Sequence, residues 1–164
     1  MGDMAKKIIK TDIEKLIKVL NEAYAEEWLA YYQYWLAAKL AFGPEREAIV
    51  GEFLEHANEE LKHAGWLADR IIQLGGVPVL NPNLWDKIAH CKYITPEKYD
   101  VVSLLNDNLA SERCAIGRYQ GICEMLKEGA DFVTFNISRK ILIEEIEHEQ
   151  EIEDFIADIE ELKN

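Results

Sequence analysis

Apolar residues recur at three- and four-residue intervals over four long stretches, each bounded by stop signals, which is the pattern of amphipathic helices. The first opens at Thr11, with Glu14 three residues on as in a capping box, and runs to about Phe42 ahead of Gly43-Pro44. Pro44 suits a first helical position, so a second helix is predicted from there to about Leu74, where Gly75-Gly76 ends it. Thr95-Pro96-Glu97 reads as cap, first turn and favourable acid for a third helix, and Asp131 as the cap of a fourth. The predicted helices therefore span about 12–42, 44–74, 96–127 and 131–162.

The joints at 43 and 128–131 are short, which makes each flanking pair antiparallel neighbours. The connection from Val77 to Ile94 is longer and carries Pro78, Asn81-Pro82 and a short helical turn around Trp85 to His90. Extended at roughly 3.3 Å per residue it reaches about 60 Å, more than the ~45 Å of a 30-residue helix. Two helical hairpins joined by a long crossover follow: an all-α antiparallel four-helix bundle forming a single domain over 1–164.

Composition narrows the function. The 49% apolar content supplies a core for one domain, and 18 Lys+Arg against 31 Asp+Glu give a net charge of −13, which repels phosphate backbones and favours cations. Neither a signal sequence at Met1 to Lys10 nor an 18-residue apolar run is present, so neither secretion nor membrane insertion is expected. Cys91, Cys114 and Cys123 form no CxxC, which points away from a disulfide framework or zinc ribbon and towards a reducing, cytoplasmic setting. Cys114 and Cys123, nine apart on one predicted helix, point in opposite directions about 13 Å apart and cannot pair within a subunit. Cys91 is the one partner left for either.

Glu60 and His63 share a helix face, and so do Glu145 and His148. With 22 glutamates in the chain, either Glu-x-x-His pair alone is weak evidence. The upstream spacing changes its weight: both halves read Glu-x6-Tyr-x25-Glu-x2-His, as Glu27-Tyr34-Glu60-His63 and as Glu112-Tyr119-Glu145-His148. At this chain's own residue frequencies one such string is expected about two times in a thousand. Each hairpin would present one carboxylate from one helix and a carboxylate plus imidazole from its neighbour. Together they make a four-carboxylate, two-imidazole site of the kind that holds two iron or two manganese ions in a helix bundle. By the symmetry Glu60 and Glu145 are the candidate bridges, and Glu27 and Glu112 the terminal carboxylates. A salt-bridged polar layer would need cations on the same faces, and there only Arg113, one step from Glu112, is near. Tyr24, Tyr31 and Tyr34 share the face of Glu27 as candidate hydroxyl donors, with Tyr34 and Tyr119 favoured by the repeat.

The strings Leu20-Asn21 through Glu27 to Gln33-Tyr34, and Glu60-Leu-Lys-His63, resemble bacterioferritin in the ferritin-like superfamily. Leu61 stands where bacterioferritin carries its haem-binding methionine, so no haem is expected. Ser111 to Tyr119, Ile122-Cys-Glu-Met125 and Glu144-Glu-Ile-Glu-His148-Glu149 resemble the Dps-like proteins, or thioferritins. That resemblance implies a ferritin-like fold and a twelve-subunit cage. It further implies oxidation of ferrous iron by hydrogen peroxide (or O₂), ferric mineral storage, two irons per subunit, and a redox cysteine pair at Cys91 and Cys114. The rival readings are a non-storing di-iron oxidase or peroxidase resembling rubrerythrin, and a DNA-protecting shell. The net charge, with no long basic tail after the fourth helix, speaks against direct DNA binding.

Three further features carry expectations. Trp28, Tyr32 and Trp35 are rotated about 100° from Glu27 and predict a subunit interface, with ordinary bundle packing as the equal alternative. Gly117 and Gly121, inside the third helix, predict the close approach of a neighbouring element. His56 and His90 are candidate auxiliary ligands whose plainer reading is structural.

Overall fold

The computed structural model describes residues 2–127 and 129–162; residues 1, 128, 163 and 164, which belong to the expected domain and to the joint at 128–131, lie outside them. Six helices occur among the described residues: α1 (Asp3–Ile8), α2 (Ile13–Leu40), α3 (Arg46–Gln73), α4 (Trp85–Ile88), α5 (Val101–Leu126) and α6 (Phe132–Glu161), with a 3₁₀ turn at Pro82–Leu84. The four long ones form the expected bundle, α2 packed along α3 and α5 along α6. No described helix is long and apolar enough to cross a membrane.

Local chemistry moves three helix starts. Asp12, not Thr11, caps α2, its carboxylate accepting from the Glu14 and Lys15 N–H groups at 3.0 and 3.1 Å; an anion serves a helix N-terminus better than a hydroxyl. Pro44 belongs to the turn before α3, in which Gly43 (φ 118°) and Glu45 (φ 55°) take left-handed conformations that reverse the chain. The third long helix starts at Val101, capped by Asp100, rather than at Thr95-Pro96. Phe42 N–H donates to Tyr99 O and Val101 N–H to Phe42 O, which pins the chain at the end of the bundle. Five more residues of helix there would project roughly 7 Å beyond that end. Asp131 caps α6 and also pairs with Arg70 at 2.6 Å, locking the end of α3 to the start of α6.

The interior divides into two apolar clusters. One joins the end of α2, the starts of α3 and α5 and the end of α6 around Tyr34, Phe53, Leu105 and Ile152. The other joins the opposite ends around Leu20, Leu67, Tyr119 and Ile141. Burying a large apolar side chain contributes roughly 1.5–3 kcal/mol each, and these clusters carry the bundle on either side of a polar layer. The crossover from α3 to α5 lies along α2, whose polar side chains hold its backbone. Asn21 donates to Val77 O, the Glu26 carboxylate accepts from the His90 and Cys91 N–H groups, and Gln33 Oε1 accepts from Ile94 N–H.

Candidate metal centre

The polar layer consists of the six residues of the repeat. Glu27, Glu60, Glu112, Glu145, His63 and His148 are each at most 3% exposed, one from α2, two from α3, one from α5 and two from α6. His63 Nδ1 lies 3.3 Å from Glu27, 3.2 Å from Glu60 and 3.2 Å from Glu145. His148 Nδ1 lies 3.5 Å from Glu60, 3.8 Å from Glu112 and 3.9 Å from Glu145. Two groups able to hold a metal result, Glu27/Glu60/His63/Glu145 and Glu60/Glu112/Glu145/His148, and Glu60 and Glu145 belong to both. No Lys or Arg pairs with the six among the described residues; Arg113 turns outward to Glu149 and Glu153.

Whether this chemistry fits a metal is answered by its orphaned atoms. Glu60 Oε1, Glu145 Oε1 and His148 Nδ1 are buried with no hydrogen-bond partner, a costly state that a cation among them relieves. Burial pushes the Glu27 carboxyl up to about 8 against the pull of His63. Glu145 is driven well above the carboxylate range by burial and by the charges of Glu60 and Glu112. For Glu60 burial also opposes ionisation, but the His148 and His63 imidazoles beside it outweigh that and hold the group below its usual range. Burial disfavours charge on both imidazoles too, yet their carboxylate partners raise both. The centre thus holds protons where a cation would sit, so binding of a metal would release protons and would weaken as pH falls.

Each tyrosine of the repeat serves the other hairpin: Tyr34 OH donates to Glu112, and Tyr119 OH to Glu27. Tyr24 and Tyr31, expected on the same face as Glu27, instead pack edge-on against Trp28. Sequence reasoning missed Glu59 and Glu144, which bond His148 Nε2 at 2.8 Å and His63 Nε2 at 2.7 Å. Their signal was present, since each precedes a repeat glutamate by one position. Glu26 was missed as well: its buried carboxylate holds the crossover and pairs with Arg118 at 3.3 Å.

Cys91 and Cys114 are joined by a disulfide, Cα atoms 5.7 Å apart, and Cys123 is free and buried. Cys91 lines the same small cavity as Glu27, Glu60, Glu112 and Glu145. Two expectations need correction. Trp28 is covered by the crossover, stacked on Trp85 at 5.1 Å, so only Tyr32 and Trp35 of the stripe stay exposed. Among the described residues nothing lies within 4 Å of where a Cβ would stand on Gly117 or Gly121; they line an open groove with Cys114 and Arg118. His90 is exposed and joins none of the metal-holding groups among the described residues, whereas His56 does.

Comparison with known proteins agrees with this fold. Residues 17–162 match the ferritin-like domain family. The chain is 37% identical to a DNA protection during starvation protein of Pyrococcus furiosus, over 89% of this chain and 79% of that one. A dodecameric thioferritin of Bacteroides fragilis, a bacterioferritin-related protein, superposes with a TM-score of 0.95 at 51% identity, covering 99% of this chain and 97% of the other. Rhodobacter capsulatus bacterioferritin superposes at 0.75 with 26% identity, covering 94% and 90%.

Proposed function

This chain belongs to the ferritin-like family, and on that premise we propose that it is a ferroxidase that oxidises ferrous iron with hydrogen peroxide, or O₂, and stores the ferric product. The observation that carries the reading is the sharing of Glu60 and Glu145 between two imidazole-bearing groups, with their orphaned oxygens between them. Iron is the substrate here. Glu27, Glu60, His63 and Glu145 would hold one ion, and Glu60, Glu112, Glu145 and His148 the other; the carboxylate and imidazole donors suit Fe²⁺ and also Mn²⁺. Two ferrous ions supply one electron each; the pair breaks the O–O bond of peroxide, which with two protons leaves as two waters. The protein's part is positional. The Tyr34 and Tyr119 hydroxyls aim Glu112 and Glu27, the Glu59 and Glu144 carboxylates orient the imidazoles, and the apolar clusters keep bulk water out.

A homo-oligomeric cage of twelve subunits is part of the same reading, supported by similarity to the dodecameric thioferritin. So is a cytoplasmic location, in which a Cys91–Cys114 bond works as a redox-active pair rather than a permanent staple. Its reduction would free the crossover beside Glu26 and Glu27. The −13 charge still opposes direct DNA binding. Loading the protein with Fe²⁺ anaerobically, adding peroxide stepwise and desalting tests the reading. Tens of irons retained per chain are expected; about two, one for each imidazole-bearing half, would instead mean a non-storing, rubrerythrin-like oxidase.

A further inference from the structure

The centre repeats at an interval of 85 residues, relating Glu27 to Glu112, Glu60 to Glu145 and His63 to His148. The surroundings of the two imidazoles do not repeat. Beside His148 stand Glu52, His56 and Glu151; the positions related to them by the same interval are Ile137, Ile141 and Trp66, all three part of an apolar cluster.

His56 is 1% exposed and stacks on the His148 ring, centroids 4.0 Å apart. Its Nε2 lies 2.9 Å from Glu151 Oε2 and 3.3 Å from Glu52 Oε1, and one donor atom from each of the three falls within 4.8 Å of the others. Two carboxylates thus converge on one ring nitrogen, while the other nitrogen of that buried ring has no partner. A proton on the ring offsets one of those charges and leaves the second facing like charge. A divalent cation offsets both. The cluster opens to solvent through a cavity of about 340 Å³ between α3 and α6, which is also lined by Glu59 and by His148 itself. Because Glu59 bonds His148 Nε2, carboxylates lead without interruption from the surface to one half of the centre.

We propose that Glu52, His56 and Glu151 form a third divalent-cation site, with one nitrogen and two oxygen donors, that receives ferrous iron on its way to the His148 half. That the ion is in transit rests on the ferroxidase reading; that a cation binds here does not. The donor set suits Fe²⁺ and its spectroscopic stand-in Co²⁺.

Anaerobic Co²⁺ titration of the assembled protein, followed by visible absorption and by metal analysis, tests the site. Three ions per chain are expected for the parent protein and two for His56→Leu and for Glu151→Gln. The second variant alters a half-exposed side chain outside both cores, so it keeps the test open should His56→Leu fold poorly. Two ions in both the parent and Glu151→Gln would overturn the third site and leave the ferroxidase reading standing. One ion in the parent, lost on Glu151→Gln, would keep the site and sink the centre. Three ions retained by Glu151→Gln would place the extra cation elsewhere and overturn the assignment. Glu151→Gln should also slow ferrous oxidation by about tenfold, as loss of a supporting group does; an unchanged rate with the third ion gone would overturn the transit role.

Discussion

The His63 half and the His148 half of the centre share every ligand type, every spacing and the same crossed tyrosine, yet their outer faces have opposite character. His148 faces a cavity lined by Glu52, Glu55, Glu59, Glu147 and Glu151 with His56. His63 lies 5.4 Å from the Trp66 ring, over which Lys140 Nζ sits at 3.8 Å while also pairing with Glu144. Along the 85-residue interval Glu55 corresponds to Lys140 and Glu147 to Lys62, so the charge reverses at two positions. On the proposed reading, ligation would set what the halves share, because two ions need equivalent donors. Access would set where they differ, because one route suffices and a second polar mouth would only remove apolar packing.

The comparison breaks most completely at the shared residues. Glu60 belongs to both halves, so Glu60→Ala should abolish tight binding at both ions and lower ferrous oxidation by at least about 100-fold, the upper end for loss of a metal-supporting group. His63→Ala and His148→Ala should each lose one ion and keep the other. Isothermal titration with Co²⁺ distinguishes these outcomes. Retention of both ions of the centre by Glu60→Ala would show that Glu60 does not bridge, and the two-half description would fall.

The crossed tyrosines come next in size. Tyr34→Phe frees Glu112 in the opposite half, and Tyr119→Phe frees Glu27. Each should weaken one ion by about tenfold, Tyr34→Phe at the His148 half and Tyr119→Phe at the His63 half. Assignment of the weakened ion by its Co²⁺ spectrum, in backgrounds lacking one imidazole, tests the crossing. If each change weakened the ion of its own hairpin, the crossing would not govern the carboxylates.

How much of this was legible follows from where each signal lives. The six candidate ligands lie on helices, where a three-residue spacing fixes a shared face and a repeat can be counted, so the six side chains come together as the pattern expects. Glu59 and Glu144 repeat equally well, but among 22 glutamates a carboxylate that bonds an imidazole from outside looks like any exposed acid. Helix starts were less legible, because Thr11 and Thr95-Pro96 are locally adequate caps and lose only to contacts distant in sequence, such as Phe42 against residues 99 to 101. Trp28 misleads for the same reason: its covering partner, Trp85, is 57 positions away in an irregular crossover. Gly117 and Gly121 signalled a close approach that the groove beside the disulfide does not contain.

The smallest effect should come from the reversed charges at the two mouths, and it bears most directly on why the halves differ. Glu55 and Lys140 are both exposed, so neither touches the ligands and each acts on iron only through its field, which falls off over about 8 Å at physiological salt. Glu55→Lys places a positive charge at the rim of the open cavity and should slow ferrous uptake a few-fold at low salt, with the difference vanishing near 1 M. Lys140→Glu removes a positive charge from the His63 side, but there the Trp66 ring stands against His63 and belongs with Ile137 and Ile141 to an apolar cluster; uptake there should stay close to that of the parent protein. Stopped-flow oxidation across an ionic-strength series reads both variants. The decisive quantity is the asymmetry: equal and opposite effects would mean that both mouths admit iron, and that the carboxylate path past His56 is a matter of surface charge rather than of route.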